Sequence, residues 1–237
     1  MSVAVLQAIR ARLVVSCQAY PGEPMRDTDV MTAVARAVAD GGAAAIRAQG
    51  LQDLRSIRAA VPLPLIGLVK RGQDGVFITP TRADCIDVAR TGADVVALDG
   101  TTRPRPDGRT LAECINAIHD HGSLAMADCG SLEDAAASIA AGADCIGTTL
   151  AGYTGARPVT VGPDFELLGQ LLEMSSVPVL AEGRITTPDD AVRALTMGAH
   201  AVVVGSAITH PTSITRRFVS VVGDPALTQV DDPLPSS

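Results

Sequence analysis

A glycine–alanine pair recurs at residues 42–43, 92–93, 142–143 and 198–199, at intervals of 50, 50 and 56 residues. Each pair closes a helix-like stretch and precedes a short apolar run: Ala44–Ile46, Val95–Leu98, Cys145–Gly147 and Ala201–Val204. A glycine just past a helix supplies the left-handed residue that turns the chain into the next strand. Midway between these lie four more apolar runs, Leu13–Val15, Leu65–Val69, Leu124–Ala127 and Val179–Ala181, the second and fourth introduced by Pro64 and Pro178. The repeat therefore predicts eight strands, two in each period.

Helix-like segments separate the runs: Asp27–Asp40, Leu51–Ala60, Thr81–Arg90, Leu111–His119, Leu132–Ala140, Phe165–Met174, Asp189–Met197 and Ser213–Val222. Their start signals agree. Ser131 has an acid three residues on, and Thr187-Pro188-Asp189-Asp190 combines an N-cap, a first-turn proline and acids at the positive helix end. Strands that are almost continuously apolar and joined by helices imply a parallel sheet covered by helices. Eight such units imply a (β/α)₈ TIM barrel, an α/β fold in one domain spanning residues 1–223. An open doubly wound sheet more often carries a Gly-x-Gly-x-x-Gly turn after its first strand, and none is present. Residues 2–11 are expected to form a short helix capping the barrel bottom, and residues 224–237, with three prolines, a loose tail.

Composition narrows the function. A net charge of −7 disfavours sequence-independent nucleic-acid binding, and the five aromatics (Tyr20, Phe77, Tyr153, Phe165, Phe218) are too few for base-stacking platforms. No apolar run approaches a membrane span, and Arg10 and Arg12 interrupt any signal-peptide core. Five cysteines without Cys-x-x-Cys suggest neither a disulfide framework nor a zinc knuckle. The expectation is a cytoplasmic protein acting on a small molecule, with no nucleic-acid or membrane partner. Its assembly is left open between a monomer and a homodimer.

In such a barrel, chemistry gathers at the C-terminal strand ends. Those ends carry Gln18, Arg47 and Gln49, Lys70 and Arg71, Asp99, Asp128, Thr148-Thr149, Glu182-Gly183-Arg184 and Gly205-Ser206. Any one of them alone reads better as the point where the chain leaves the core; the whole set on one rim reads as a site. Lys70 closes the run Leu65–Val69, where desolvation and the expected neighbours Arg47 and Arg184 favour its neutral amine, a base or nucleophile. Glu182 suits a proton donor or an ion pair with Arg47 or Arg184. Asp99 and Asp128 suit sugar hydroxyls or turn caps. Gly183 and Gly205-Ser206 lie where barrels often bind phosphate through backbone N–H groups, with Arg184 adjacent. A metal is not expected: His119, His121 and His200 fall at the barrel bottom, and only His210 reaches toward the mouth.

The strings Ser16–Ala19, Pro21–Pro24, Ile46–Ala48, Ile66–Arg71, Phe77–Thr81, Ala97–Asp99 and Arg103–Gly108 resemble the N-acylglucosamine-6-phosphate 2-epimerase family, also called N-acetylmannosamine-6-phosphate 2-epimerases. So do Met126–Asp128, Ile146–Leu150, Gly152–Thr154, Gly162–Glu166 and Ala181–Ile185. The resemblance runs from about Val15 to Phe218. It implies a TIM barrel that interconverts N-acetylmannosamine 6-phosphate and N-acetylglucosamine 6-phosphate in amino-sugar or sialic-acid breakdown, without a metal or organic cofactor. It implies Lys70 as catalytic base with Glu182 assisting, Gln18, Arg47, Asp128 and Arg184 holding the sugar, and Gly183, Arg184, Gly205 and Ser206 near the phosphate. Two positions depart from the family pattern. Lys70-Arg71 is followed by Gly72-Gln73 where Asp-Tyr is common, and Ile208-Thr209 by His210 where arginine is common. Two other readings of Lys70 remain. A Schiff-base sugar-phosphate lyase would be trapped by borohydride, and a non-catalytic sugar-phosphate-binding barrel would exchange no C2 proton with solvent.

Overall fold

The structure, a computed structural model, describes residues 2–223. Its strands are β1 (Leu13–Cys17), β2 (Ala45–Gln49), β3 (Leu65–Leu68), β4 (Val95–Asp99), β5 (Leu124–Asp128), β6 (Cys145–Gly147), β7 (Val179–Glu182) and β8 (Ala201–Val204). They close in sequence order into a parallel eight-stranded barrel, with Val14 of β1 level with Val203 of β8 at the seam. Helix α1 (Ser2–Ile9) precedes β1. Helices α2 (Thr28–Asp40), α3 (Leu51–Ala60), α4 (Arg82–Ala89), α5 (Leu111–His119), α6 (Leu132–Ala140), α7 (Phe165–Met174) and α8 (Pro188–Met197) come after β1 to β7 in turn. After β8 come a single turn α9 (Ser206–Thr209) and α10 (Pro211–Val222). The expected (β/α)₈ architecture is therefore present. The proposed tail, residues 224–237, lies outside the described residues.

All four glycines of the repeat have positive φ, between 85° and 111°, as a left-handed helix exit requires. Helix starts obey their caps. Asp27, Thr81, Thr110, Ser131, Asp164 and Thr187 each accept a backbone N–H of the first turn, and Thr110–Glu113 and Thr187–Asp190 form capping boxes. Several boundaries shift by one to three residues from the sequence reading, and two near the C-terminus differ in kind. Pro211 begins the last helix two residues before Ser213, because proline fits a first helical turn, and Ser206 opens α9 instead of closing the strand.

Two apolar layers hold the barrel. Residues alternating inward, including Val14, Ala45, Ile66, Leu68, Val95, Ala97, Met126, Leu180 and Val203, fill the interior, and Ile9 of α1 with Val5 and Leu6 plugs its bottom. Their neighbours, including Val15, Ile46, Val96, Leu98, Ile146 and Val202, face the helices. His200 ties the plug down through Leu6 O, 2.8 Å away. The five cysteines are free and buried; burial alone pushes Cys17 up to about 12, so it stays a neutral apolar filler. Among the described residues no helix is long and apolar enough to cross a membrane.

Candidate active site

The period-two alternation that fills the barrel also builds its mouth. Continuing each inward phase upward, Val14 leads to Ser16 and Gln18, Ala45 to Arg47 and Gln49, Leu68 to Lys70, Met126 to Asp128 and Leu180 to Glu182. Sequence reasoning placed all of these except Ser16 at strand ends, and the structure brings Arg47, Lys70, Asp128 and Glu182 together.

Arg47 is the hub, 1% exposed. Its Nη1 and Nη2 donate to Asp128 Oδ1 and Oδ2 at 3.1 and 2.6 Å, and Nη1 also lies 2.9 Å from Glu182 Oε2. Nη1 further donates to Met126 Sδ at 3.6 Å. Gly147 leaves room for that methionine, since a Cβ there would sit 2.6 Å from Met126 Cε. Burial works against the charged guanidinium, but the two carboxylates outweigh it and its pKa rises. Thr149, missed as a site residue, lies 2.7 Å from Asp128 Oδ1 and 3.1 Å from Glu182 Oε2. One hydroxyl proton serves the closer carboxylate, leaving the Thr149 oxygen free to accept from a protonated Glu182. Thr148 fixes the Glu182 backbone by donating to its carbonyl and accepting its N–H, at 2.7 and 2.9 Å.

The environments of Lys70 and Glu182 drive both toward neutrality. Burial pushes Lys70 down to about 8, and Arg47 adds to this; Glu182 and Asp128 oppose it. Burial pushes Glu182 up to about 7, with Asp128 adding, against Arg47, Thr149 and Lys70. An amine and a carboxyl poised on either side of neutral pH are the pairing that acid–base chemistry needs. Polar atoms in the mouth also stay open: Arg47 Nε, Gln18 Oε1 and Gln49 Oε1 are buried with no protein partner. Gln18 Nε2 is bonded to Ser16 Oγ at 2.8 Å and Gln49 Nε2 to Ala19 O at 3.0 Å.

The other expected residues spread around the rim. Gly183 comes directly after β7 with φ +102°, a conformation that favours glycine, and Gly205 packs against Ser16 at the start of α9, which Ser206 opens. Arg184, itself at φ +53°, spends Nε, Nη1 and Nη2 on Gly162 O, Ala151 O and Thr160 Oγ1, each at 2.9 Å, and lies over the Tyr153 ring. It thus clasps the loop between β6 and α7, and the charges bearing on Lys70 are Arg47, Glu182 and Asp128. Asp99 is a turn cap: it accepts from the Thr101 N–H and hydroxyl and pairs with Arg103 at 2.8 Å. Among the described residues no three His, Cys, Asp or Glu side chains are grouped as a cation would need.

A family model described as "Putative N-acetylmannosamine-6-phosphate epimerase" (NanE) matches residues 31–224. The chain belongs to the NanE family. A Cutibacterium acnes relative named "Putative N-acetylmannosamine-6-phosphate 2-epimerase" is 53% identical over 90% of this chain and 95% of its own. One of the same name from Corynebacterium glutamicum is 48% identical over 90% and 94%. The solved N-acetylmannosamine-6-phosphate 2-epimerase of Clostridium perfringens superposes with a TM-score of 0.89, at 42% identity, over 91% of this chain and 95% of that one.

Within this NanE chain, a simple count adds weight to Lys70. Of the nineteen lysines and arginines, eighteen are arginine, and Lys70 is the sole lysine. A chain that uses arginine at every other basic position keeps its one amine at the barrel mouth, where only an amine can become neutral.

Proposed function

We propose that the protein interconverts N-acetylmannosamine 6-phosphate and N-acetylglucosamine 6-phosphate by removing and returning the proton at C2 of the open-chain sugar. The observation that carries this reading is the Lys70–Glu182 pair, both near neutrality and both tied electrostatically to the buried Arg47–Asp128 pair. The C2 proton is acidic because it is alpha to the C1 aldehyde. Neutral Lys70 takes it, and the developing enolate oxygen at C1 is met by protonated Glu182 and the open Nε–H of Arg47. In an eight-stranded barrel closed in sequence order, β3 and β7 lie across the axis from one another. Lys70 stands just past β3 and Glu182 ends β7, so a sugar between them presents one face of C2 to each. This arrangement favours a two-residue mechanism in which Glu182 serves the second face. Gln18 holds hydroxyls, the buried Asp128 orients Arg47, the N–H groups of Gly183, Gly205 and Ser206 take the phosphate, and Arg184 fixes the loop beside them. No step calls on a cofactor, and the reducing cytoplasm suits the five free thiols. Proton NMR of N-acetylmannosamine 6-phosphate with the protein in D₂O tests the proposal. The expected result is the 2-epimer with deuterium at C2; an unchanged spectrum would refute it.

The pH profile and the phosphate contacts give two independent checks. With the base titrating at about 8 and the acid at about 7, neutral amine and neutral carboxyl coexist best between those values. The profile of kcat/KM is therefore expected to be bell-shaped with its maximum between pH 7 and 8, and Glu182→Gln to remove the alkaline fall in whatever activity survives. A profile rising without a fall in the wild type would take Glu182 out of the acid's role. For the phosphate, Arg184→Ala, which releases the β6–α7 loop beside the phosphate-binding N–H groups, is expected to raise KM about tenfold or more and lower kcat less, since a dianion distant from C2 contributes uniform binding. Unphosphorylated N-acetylmannosamine should be affected little; equal losses for both sugars would separate Arg184 from phosphate recognition.

A further inference from the structure

Tyr20, Glu23 and His210 play no part in the chemistry above, yet they form one connected array over the base. The Tyr20 ring covers the Lys70 amine, with Nζ 5.3 Å from the ring centroid. The edge of the Tyr20 ring meets His210, centroid to centroid 5.9 Å. One carboxylate joins the two: Glu23 Oε2 accepts the Tyr20 N–H at 2.7 Å, and Glu23 Oε1 accepts from His210 Nε2. The other histidine nitrogen, Nδ1, accepts the Ser213 N–H at 3.2 Å and so caps α10. With Nδ1 accepting, Nε2 is the protonated nitrogen, which is what a bond to the Glu23 carboxylate requires. His210 is 8% exposed, so this contact lies within the molecule and is not a surface ion pair.

We infer that Glu23 and His210 are positioning residues that latch the loop after β1 to the start of α10 and thereby hold Tyr20 as a cover over Lys70. Water is kept from the amine by that cover. This matters because burial is the main influence that makes Lys70 a weak enough cation to lose its proton near neutral pH. The charged groups facing Lys70 from the barrel are Arg47, Glu182 and Asp128; those around His210 are Glu23, with Tyr20 and Ser213 as its uncharged neighbours. Opening the latch leaves the first set in place and readmits water. The ring's own attraction for the ammonium is lost at the same time, but the regained hydration outweighs it and the lysine pKa rises. Removing the Glu23 charge by itself would favour the neutral amine and lower it, so an upward shift on Glu23→Gln separates cover loss from charge loss.

The inference rests on the epimerase reading only in taking Lys70 as the base, and the single lysine allows a test that does not need turnover. With lysine labelled at the ε-carbon, the full chain gives one lysine side-chain resonance, whose shift against pH is the titration of Lys70. Glu23→Gln is expected to move its midpoint up by about one pH unit, a partial return toward the ordinary lysine value. His210→Ala, which breaks the latch from its other end and leaves Glu23 charged, should do the same. His210→Arg keeps a donor to Glu23 and should titrate with the wild type. An unmoved midpoint in either Glu23→Gln or His210→Ala would overturn the latch; should one variant fail to fold, the other decides. Because the base titrates above the acid, the alkaline limb of kcat/KM should move up with each midpoint and the maximum should fall. A midpoint that moves while the whole kcat/KM profile stays unchanged would uphold the latch and remove Lys70 as the base.

Discussion

Lys70→Ala is expected to lower kcat by about two to four orders of magnitude, the range for loss of a positioned acid–base group, and to leave phosphosugar binding in place. The phosphate is taken by groups after β7 and β8, across the mouth from Lys70, so KM should change far less than kcat. The fold has little to lose: Lys70 is half-buried, and Arg47 still holds Asp128 and Glu182 without it. Lys70→Arg makes the experiment decisive. It keeps the positive charge and most of the length, but a guanidinium is never neutral in a protein at these pH values. A structural or purely electrostatic role would be rescued by arginine, whereas a base would not. Both variants should therefore be equally impaired in C2 exchange, and turnover by Lys70→Arg within about tenfold of wild type would sink the assignment.

What could be read in the sequence, and what could not, divides by distance along the chain. The strand ends were legible because a period-two apolar run predicts which later residue shares its inward phase. Leu68 points to Lys70 and Met126 to Asp128 by local geometry alone. The helix exits were legible because only glycine suits φ near +90°, as at Gly42 and Gly142. The ion pair between Arg47 and Glu182 was foreseen as one of two options, and the structure selects it over a pair with Arg184. The direction of Arg184 was not legible, because its backbone sits at φ +53° after a glycine at +102°, and that turn sends the guanidinium toward the β6–α7 loop. Nor was the Glu23–His210 contact, between residues 187 apart that only closure of β8 onto β1 brings together. Thr149 stood among the strand ends, but nothing in a lone threonine shows that its hydroxyl bridges two carboxyl groups. The lysine count was available from the outset and needed no structure.

Arg47→Met is the substitution expected to cost the fold most. The guanidinium is 1% exposed and holds Asp128, itself fully buried, through two hydrogen bonds, with Glu182 on the same nitrogen. Methionine fills much of the volume but strips two carboxyl groups of the guanidinium that bonds them, leaving only the more distant Lys70. Breaking a buried pair from one side costs roughly 3–5 kcal/mol, which for a chain of this size lowers Tm by about 10 °C. The loss should depend on pH with a definite sign. Glu182 has a folded-state pKa above its ordinary value, so protonation favours the native state, and that contribution is lost as pH rises through about 7. Without Arg47, a main influence lowering that pKa is gone, and the carboxyl is pushed higher still. The stability deficit of Arg47→Met should therefore be smaller at pH 5 than at pH 8. Neutralising the stranded partner should also recover part of it: Arg47→Met/Asp128→Asn is expected to be more stable than Arg47→Met alone, although Asp128→Asn by itself destabilises. Urea unfolding of the three variants at pH 5 and pH 8 reads all of this. Single-variant costs that simply add, or an Arg47→Met deficit that shrinks toward pH 8, would show that Arg47 does not stabilise the barrel through these two carboxylates.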